Sequence, residues 1–106
     1  IQKKEFMTIK FGNIGANLGT RFSGAVVREE IISSFYTENI IELDFAGVET
    51  VSVPFADECL AKLLFNFDHE EIENKIMLSN ASPYIMSVIA SAFNQRKKSL
   101  SQLELA

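Results

Sequence analysis

Cysteine, histidine, proline and tryptophan are all scarce in this chain, and each scarcity removes a class of function. One cysteine, Cys59, cannot build an internal disulfide framework or a multi-cysteine zinc site, and it suits a reducing cytoplasm. One histidine, His69, excludes any centre built on two histidines. Two prolines and five glycines are too few for a collagen-like or linker-rich chain. No apolar run approaches the ~18 residues needed to cross a bilayer, and no charged, apolar, small-residue leader opens the sequence. The expectation is a cytoplasmic protein without membrane contact, its 106 residues forming one domain around one core. The chain opens on Ile1 rather than Met, so upstream residues are expected and Met7 could itself be a start position. Residues 1–6 and 99–106 are read as candidates for flanking or disordered segments, the latter also as a last strand or a helical extension.

The net charge of −4 is unevenly spread. Residues 1–28 carry five bases and one acid, residues 29–73 twelve acids against Lys62 alone, and residues 74–106 four bases and one acid. An acidic middle argues against nucleic acid as a partner, because phosphate backbones need a contiguous basic stripe.

Three cycles of one pattern follow each other: an apolar β-branched stretch, a turn, then a helical period. Phe6 to Ile14 alternates as a half-buried strand and runs into the glycine-punctuated loop Gly12-Asn13-Ile14-Gly15. Val27, Ile31 and Phe35 then recur at intervals of four, predicting a helix over 22–36. Ile40 to Phe45 reads as a central strand covered on both faces. Beyond it Pro54 pre-sets a first helical turn, and Ala56, Cys59, Leu60, Leu63, Leu64 and Phe67 mark a second helix. Lys75 to Ser79 is the third strand, Ser82-Pro83 an N-cap with first-turn proline, and Ile85 to Phe93 the buried face of a third helix. Arg96, Lys97 and Lys98 are read as cations at that helix's C-terminus, complementing its dipole. The order implies an α/β domain with a small, mostly parallel sheet of three to five strands and three helices. Parallel strands would bring the loops 12–21, 47–58 and 79–82 to one sheet edge, where open α/β domains bind their ligands.

At the second of these loops the sequence resembles a known family. Ile41-Glu42-Leu43-Asp44-Phe45-Ala46-Gly47-Val48, followed by Val51-Ser52-Val53-Pro54-Phe55-Ala56-Asp57-Glu58, is similar to the signature of the STAS-like family of unknown function, a relative of sulfate-transporter and anti-sigma-factor-antagonist domains. Leu18 to Gly24, with Arg21 and Gly24, and Arg28 a turn later resemble the same family's upstream segment, so that the likeness spans roughly residues 8–96. Arg21, Gly24, Arg28, Asp44, Asp57 and Glu58 are the motif residues it implies. In anti-sigma-factor antagonists the matching loop ends Asp-Ser-Ser-Gly, with a phosphorylated serine at the helix start. Alignment on Leu43-Asp44 puts Ser52 on the Asp, Val53 on the first serine, Pro54 on the phosphoacceptor and Phe55 on the glycine. Pro54 has no hydroxyl, so the resemblance does not carry the phosphoswitch with it; Ser52 is read first as a turn or capping hydroxyl, with phosphorylation of that residue as the alternative.

No residue set in the sequence points to catalysis, a metal or a cofactor. His69, in Asp68-His69-Glu70-Glu71, fits no metal-ligand spacing and reads as solvated loop. Cys59 lies among apolar residues at helical spacing and reads as core. The loop at Gly12 and Gly15 lacks the residues of a nucleotide-phosphate loop. Arg21 stands out: a cation at a helix start opposes the dipole, and an ion pair with Asp57 across the sheet edge is expected to compensate it.

Two functions follow. The first is a non-catalytic interaction module that meets a protein partner through Glu49, Ser52, Val53, Pro54 and Phe55; the family resemblance implies a histidine-kinase-type ATPase as that partner. The second is a sensor of a small anion or nucleotide held by Arg21, Arg28 and the strand-end loops. Self-association into a homodimer through an unpaired sheet edge also stays open.

Overall fold

The computed structural model describes residues 6–105. Five strands and four α-helices follow in the order β1 (Phe6–Lys10), β2 (Asn17–Leu18), α1 (Arg21–Ser34), β3 (Ile40–Asp44), β4 (Thr50–Val51), α2 (Val53–Cys59), α3 (His69–Lys75), β5 (Ile76–Ser79) and α4 (Pro83–Leu105). Single 3₁₀ turns, Phe11–Asn13 and Ala61–Phe65, follow β1 and α2. Among the described residues the α-helices therefore number four rather than three.

The strand pairings are parallel throughout: β3 lies between β1 and β5, and β2 pairs with β4. Lys10 stands opposite Asp44, and Asp44 opposite Ser79, so the three strands end level at one edge. The inward residues Ile41 and Leu43 of β3 are fully buried, while Glu42 keeps partial access and takes hydrogen bonds from Thr8 (3.0 Å) and Ser79 (2.6 Å). Met77 beside it is 42% exposed. The sheet is thus covered on one face only, correcting the reading of β3 as a strand buried on both sides. The layers number two.

Three further expectations are corrected. α2 stops at Cys59 instead of running on to Phe67, because Leu60 leaves helical geometry (φ −117°) and the tighter 3₁₀ turn lets Leu60, Ala61 and Leu63 all face the core. The segment around His69 is a helix, not a loop. Its capping box is explicit: Asp68 accepts from the Glu71 amide at 2.9 Å and Glu71 accepts from the Asp68 amide at 3.0 Å. The cations at 96–98 lie within α4, which runs on through residues 99–105 as a helical extension; residues 1–5 and Ala106 lie outside the described residues.

Three phenylalanines support the sheet edge from below. Phe11, just past β1, stacks on Phe45, just past β3, at 4.5 Å and meets Phe55 of α2 edge-on at 6.2 Å. Together they bury the roots of two loops and the start of α2 in one aromatic cluster. Gly12 belongs to this arrangement because a side chain there would collide with the Ala46 carbonyl oxygen. No helix among the described residues is long and apolar enough to cross a membrane.

Candidate functional site

The strand-end loops meet on one rim, as the parallel order requires. Asp44 at the end of β3 accepts from the Ala46 amide (2.9 Å) and from Asn80 Nδ2 beyond β5 (2.8 Å), tying two loops together. Asn80 does this from the left-handed region, φ 55°, which asparagine tolerates. These hydrogen bonds, the Asn80 one foremost, hold the Asp44 carboxyl below its ordinary range. The loops after β1 and β3 are joined by the β2–β4 ladder. The Glu49 amide donates to the Ala16 carbonyl at 2.7 Å, the Ser52 amide to the Leu18 carbonyl at 2.9 Å, and the Thr50 hydroxyl to Asn17 Oδ1 at 2.7 Å.

Ser52 is the N-cap of α2. Its Oγ accepts from the Phe55 amide (3.1 Å) and donates to the Gly19 carbonyl (3.0 Å), so one hydroxyl both starts the helix and pins it to the neighbouring loop. Pro54 is exposed, Val53 half-buried and Glu49 exposed. Phe55 is 1% exposed and belongs to the aromatic cluster, so its expected place in a partner contact is corrected: it supports the rim and cannot touch a partner. The exposed aromatic at this place is Tyr84, 55% exposed in the first turn of α4, which lines a shallow cleft with Gly19, Thr50 and Ser52.

Below the rim two buried carboxylates bind four cations. The expected ion pair is present: Arg21, at the first position of α1, places Nη1 2.9 Å from Asp57 Oδ2 and 2.9 Å from Glu58 Oε1. Asp57 and Glu58 lie past the first turn of α2, since that helix starts at Val53. Arg28 reaches Glu58 Oε2 at 3.0 Å and also donates to the Glu58 carbonyl, while Lys62 reaches Glu58 Oε1 at 3.0 Å. Arg96 of α4 takes Asp57 with two bonds, 3.0 Å from Nε and 2.6 Å from Nη2, and its guanidinium lies 5.3 Å from the centre of the Phe65 ring. Burial alone would raise both carboxyls. The bonds from Arg96 and Arg21 instead hold Asp57 below its ordinary range, and those from Arg28, Lys62 and Arg21 bring Glu58 down to about 2. Gly24 makes this meeting of α1 and α2 possible: a Cβ there would lie 3.0 Å from the Phe55 carbonyl oxygen and 3.2 Å from Glu58 Cβ.

The sequence reading missed Arg96, Lys62 and Tyr84. Arg96 had a signal, since Ile85, Ile89 and Ala92 are buried and position 96 continues their spacing of four, three and four. Cys59 and His69 supply no reactive group to the rim. Burial pushes the Cys59 thiol up to about 12, and His69 Nε2 pairs with Glu73 on its own helix at 3.0 Å.

Among known proteins, the family described as STAS-like domain of unknown function (DUF4325) matches residues 23–86. Neither the curated proteins nor the solved structures provide a match. Asp44, Gly24, Arg28, Asp57 and Glu58 lie inside the matched segment, while Arg21 and Arg96 flank it. A parallel α/β core with its strand-end loops on one rim, and a family match over more than half of the chain, agree: the chain belongs to the STAS-like domains of unknown function.

Proposed function

We propose that this domain is a non-catalytic docking module that presents its strand-end rim to a protein partner. The carrying observation is a rim that is rigid and yet shows apolar groups to solvent. Pro54 in the first turn of α2 and Tyr84 in the first turn of α4 stand exposed at the rim with Ser52 and Glu49, and the loop leading into α2 is fixed by the β2–β4 ladder, the Ser52 cap and the ion cluster beneath. A fixed backbone lowers the ordering cost of association, and tyrosine is among the residue types that most often dominate an interface. By resemblance to anti-sigma-factor antagonists, the partner class is a kinase-like ATPase. Pro54 in the phosphoacceptor place means that such a partner would dock without the usual switch at that residue.

The test is binding of the purified chain to the kinase-like ATPase of its own host by titration calorimetry. Wild type should bind, and Tyr84→Ala and Pro54→Asp should each weaken binding about tenfold or more with an unchanged circular dichroism spectrum. Binding that both variants retain in full, or no binding by wild type, would remove the proposal.

A further inference from the structure

Between α2 and α4 the surface opens into a cleft of about 410 Å³ lined by Arg21, Arg96, Gln95, Ser99, Val53, Pro54 and Asp57, whose carboxylate is already taken up by the two arginines. Two guanidiniums face it, and both are held in place before any ligand arrives. Arg96 is fixed by its two bonds to Asp57 and by Phe65; Arg21 is fixed by Asp57 and Glu58 through Nη1 alone. Each guanidinium carries five N–H donors. Among the described residues, the Nε and Nη2 protons of Arg21 and the Nη1 protons of Arg96 have no protein acceptor, and no buried side-chain nitrogen is left unpaired, so these donors reach solvent.

The local charge is positive although the chain is acidic overall. Among the described residues, Arg21, Arg28, Lys62 and Arg96 pair with Asp57 and Glu58 alone, which leaves two positive charges uncompensated within the cluster. Arg28 and Lys62 exceed Glu58 by one charge, and Arg21, whose side chain is 53% exposed, and Arg96 exceed Asp57 by the other. A pair of planar forks with one surplus charge of their own, inside a cluster whose surplus is two, offers more donors than a single carboxylate uses and matches an anion of tetrahedral oxygens. Gln95 and Ser99 bring an amide and a hydroxyl to the same cleft, and Val53 and Pro54 give it an apolar wall.

We infer that this cleft binds a phosphate-class dianion on Arg21 and Arg96, with Gln95 and Ser99 completing the donor set. The site differs from the Arg21 and Arg28 arrangement expected from the sequence, because Arg28 is turned inward onto Glu58 and its backbone carbonyl.

The experiment is titration of the full chain with inorganic phosphate and with ribose 5-phosphate at constant ionic strength, using chloride as control, read by calorimetry and by the arginine Nε–H resonances. Phosphate should bind saturably and move the resonances of Arg21 and Arg96. Ser99→Glu places a negative charge in the cleft without touching Asp57 or Glu58, and Arg21→Gln leaves Asp57 its Arg96 partner and Glu58 its Arg28 partner, so both variants should fold. Each should weaken binding about tenfold or more. Tighter binding of ribose 5-phosphate assigns the dianion to a phosphomonoester resting on Val53 and Pro54, and equal binding assigns it to inorganic phosphate. No saturable binding beyond chloride, or wild-type affinity in either variant, overturns the inference.

Discussion

Arg96 grips Asp57 with two hydrogen bonds, 3.0 Å from Nε to Oδ1 and 2.6 Å from Nη2 to Oδ2, although 39 residues separate them. Through Asp57, which also holds Arg21, this pair ties α4 to α2 and α1. Asp57→Ala leaves Arg96 without its carboxylate and Arg21 with Glu58 alone, and should cost on the order of 3 kcal/mol in urea unfolding. The double change Asp57→Leu with Arg96→Met should cost clearly less, since apolar groups of similar volume replace an ion pair at little net loss. A double variant as unstable as the single one would show that the pair does not act as argued.

Glu58 makes the fold acid-sensitive. Its folded carboxyl titrates at about 2 against an ordinary 4.5; burial opposes the charged form, and the bonds from Arg28, Lys62 and Arg21 outweigh it. A carboxylate lowered in this way adds stability that is complete above about pH 4.5 and is lost as the pH falls toward 2. The thermal midpoint should therefore fall across that window, and Glu58→Gln should be less stable at neutral pH with a shallower acid slope. Identical slopes for the two proteins would contradict the assignment.

Gly24 is required by contact between helices, not by a turn. A methyl group there meets the Phe55 oxygen, Glu58 Cβ and the Cys59 amide nitrogen at 3.0, 3.2 and 3.3 Å. Gly24→Ala should destabilise the domain by about 1–3 kcal/mol despite alanine's better helix propensity. An equally or more stable variant would mean that α1 and α2 can separate without loss.

Cys59 is a core residue whose thiol is pushed up to about 12 by burial. Maleimide or disulfide reagents should label it only as fast as the protein opens, and fully in denaturant. Rapid labelling of the folded protein would sink this reading.

Ser52 has one hydroxyl and two duties. Ser52→Ala should lose about 1 kcal/mol with the cap. Ser52→Glu should loosen the link to Gly19 as well, seen as faster amide exchange over residues 17–20. Unchanged exchange there would show that this hydroxyl does not anchor the loop.

Much of the fold was legible because the apolar periods of α1 and α4 and the β-branched runs of β3 and β5 act locally. Parallel order, and with it the common rim, followed from the short connections. What escaped depended on competing signals. Asp68 and Glu71 spell a capping box, but the acidic run around them resembles solvated loop. Leu60 to Phe67 has helical spacing, yet the backbone tightens to 3₁₀ because so many adjacent apolar residues need the core. Phe55 and Tyr84 are both aromatics beside a helix-starting proline, and only the packing of Phe11 and Phe45 decides that the first is buried and the second exposed. The Arg21 and Asp57 pair was legible from the dipole argument, whereas Arg96 was hidden by its run of three cations, which resembles a helix end.

The most direct test of the docking account is amide chemical-shift mapping of the labelled chain on addition of the kinase-like ATPase. Perturbations should concentrate at residues 47–54 and at Tyr84 and spare the strand starts at Phe6, Ile40 and Ile76. Perturbations confined to those strand starts, or none at a saturating ATPase concentration, would contradict it.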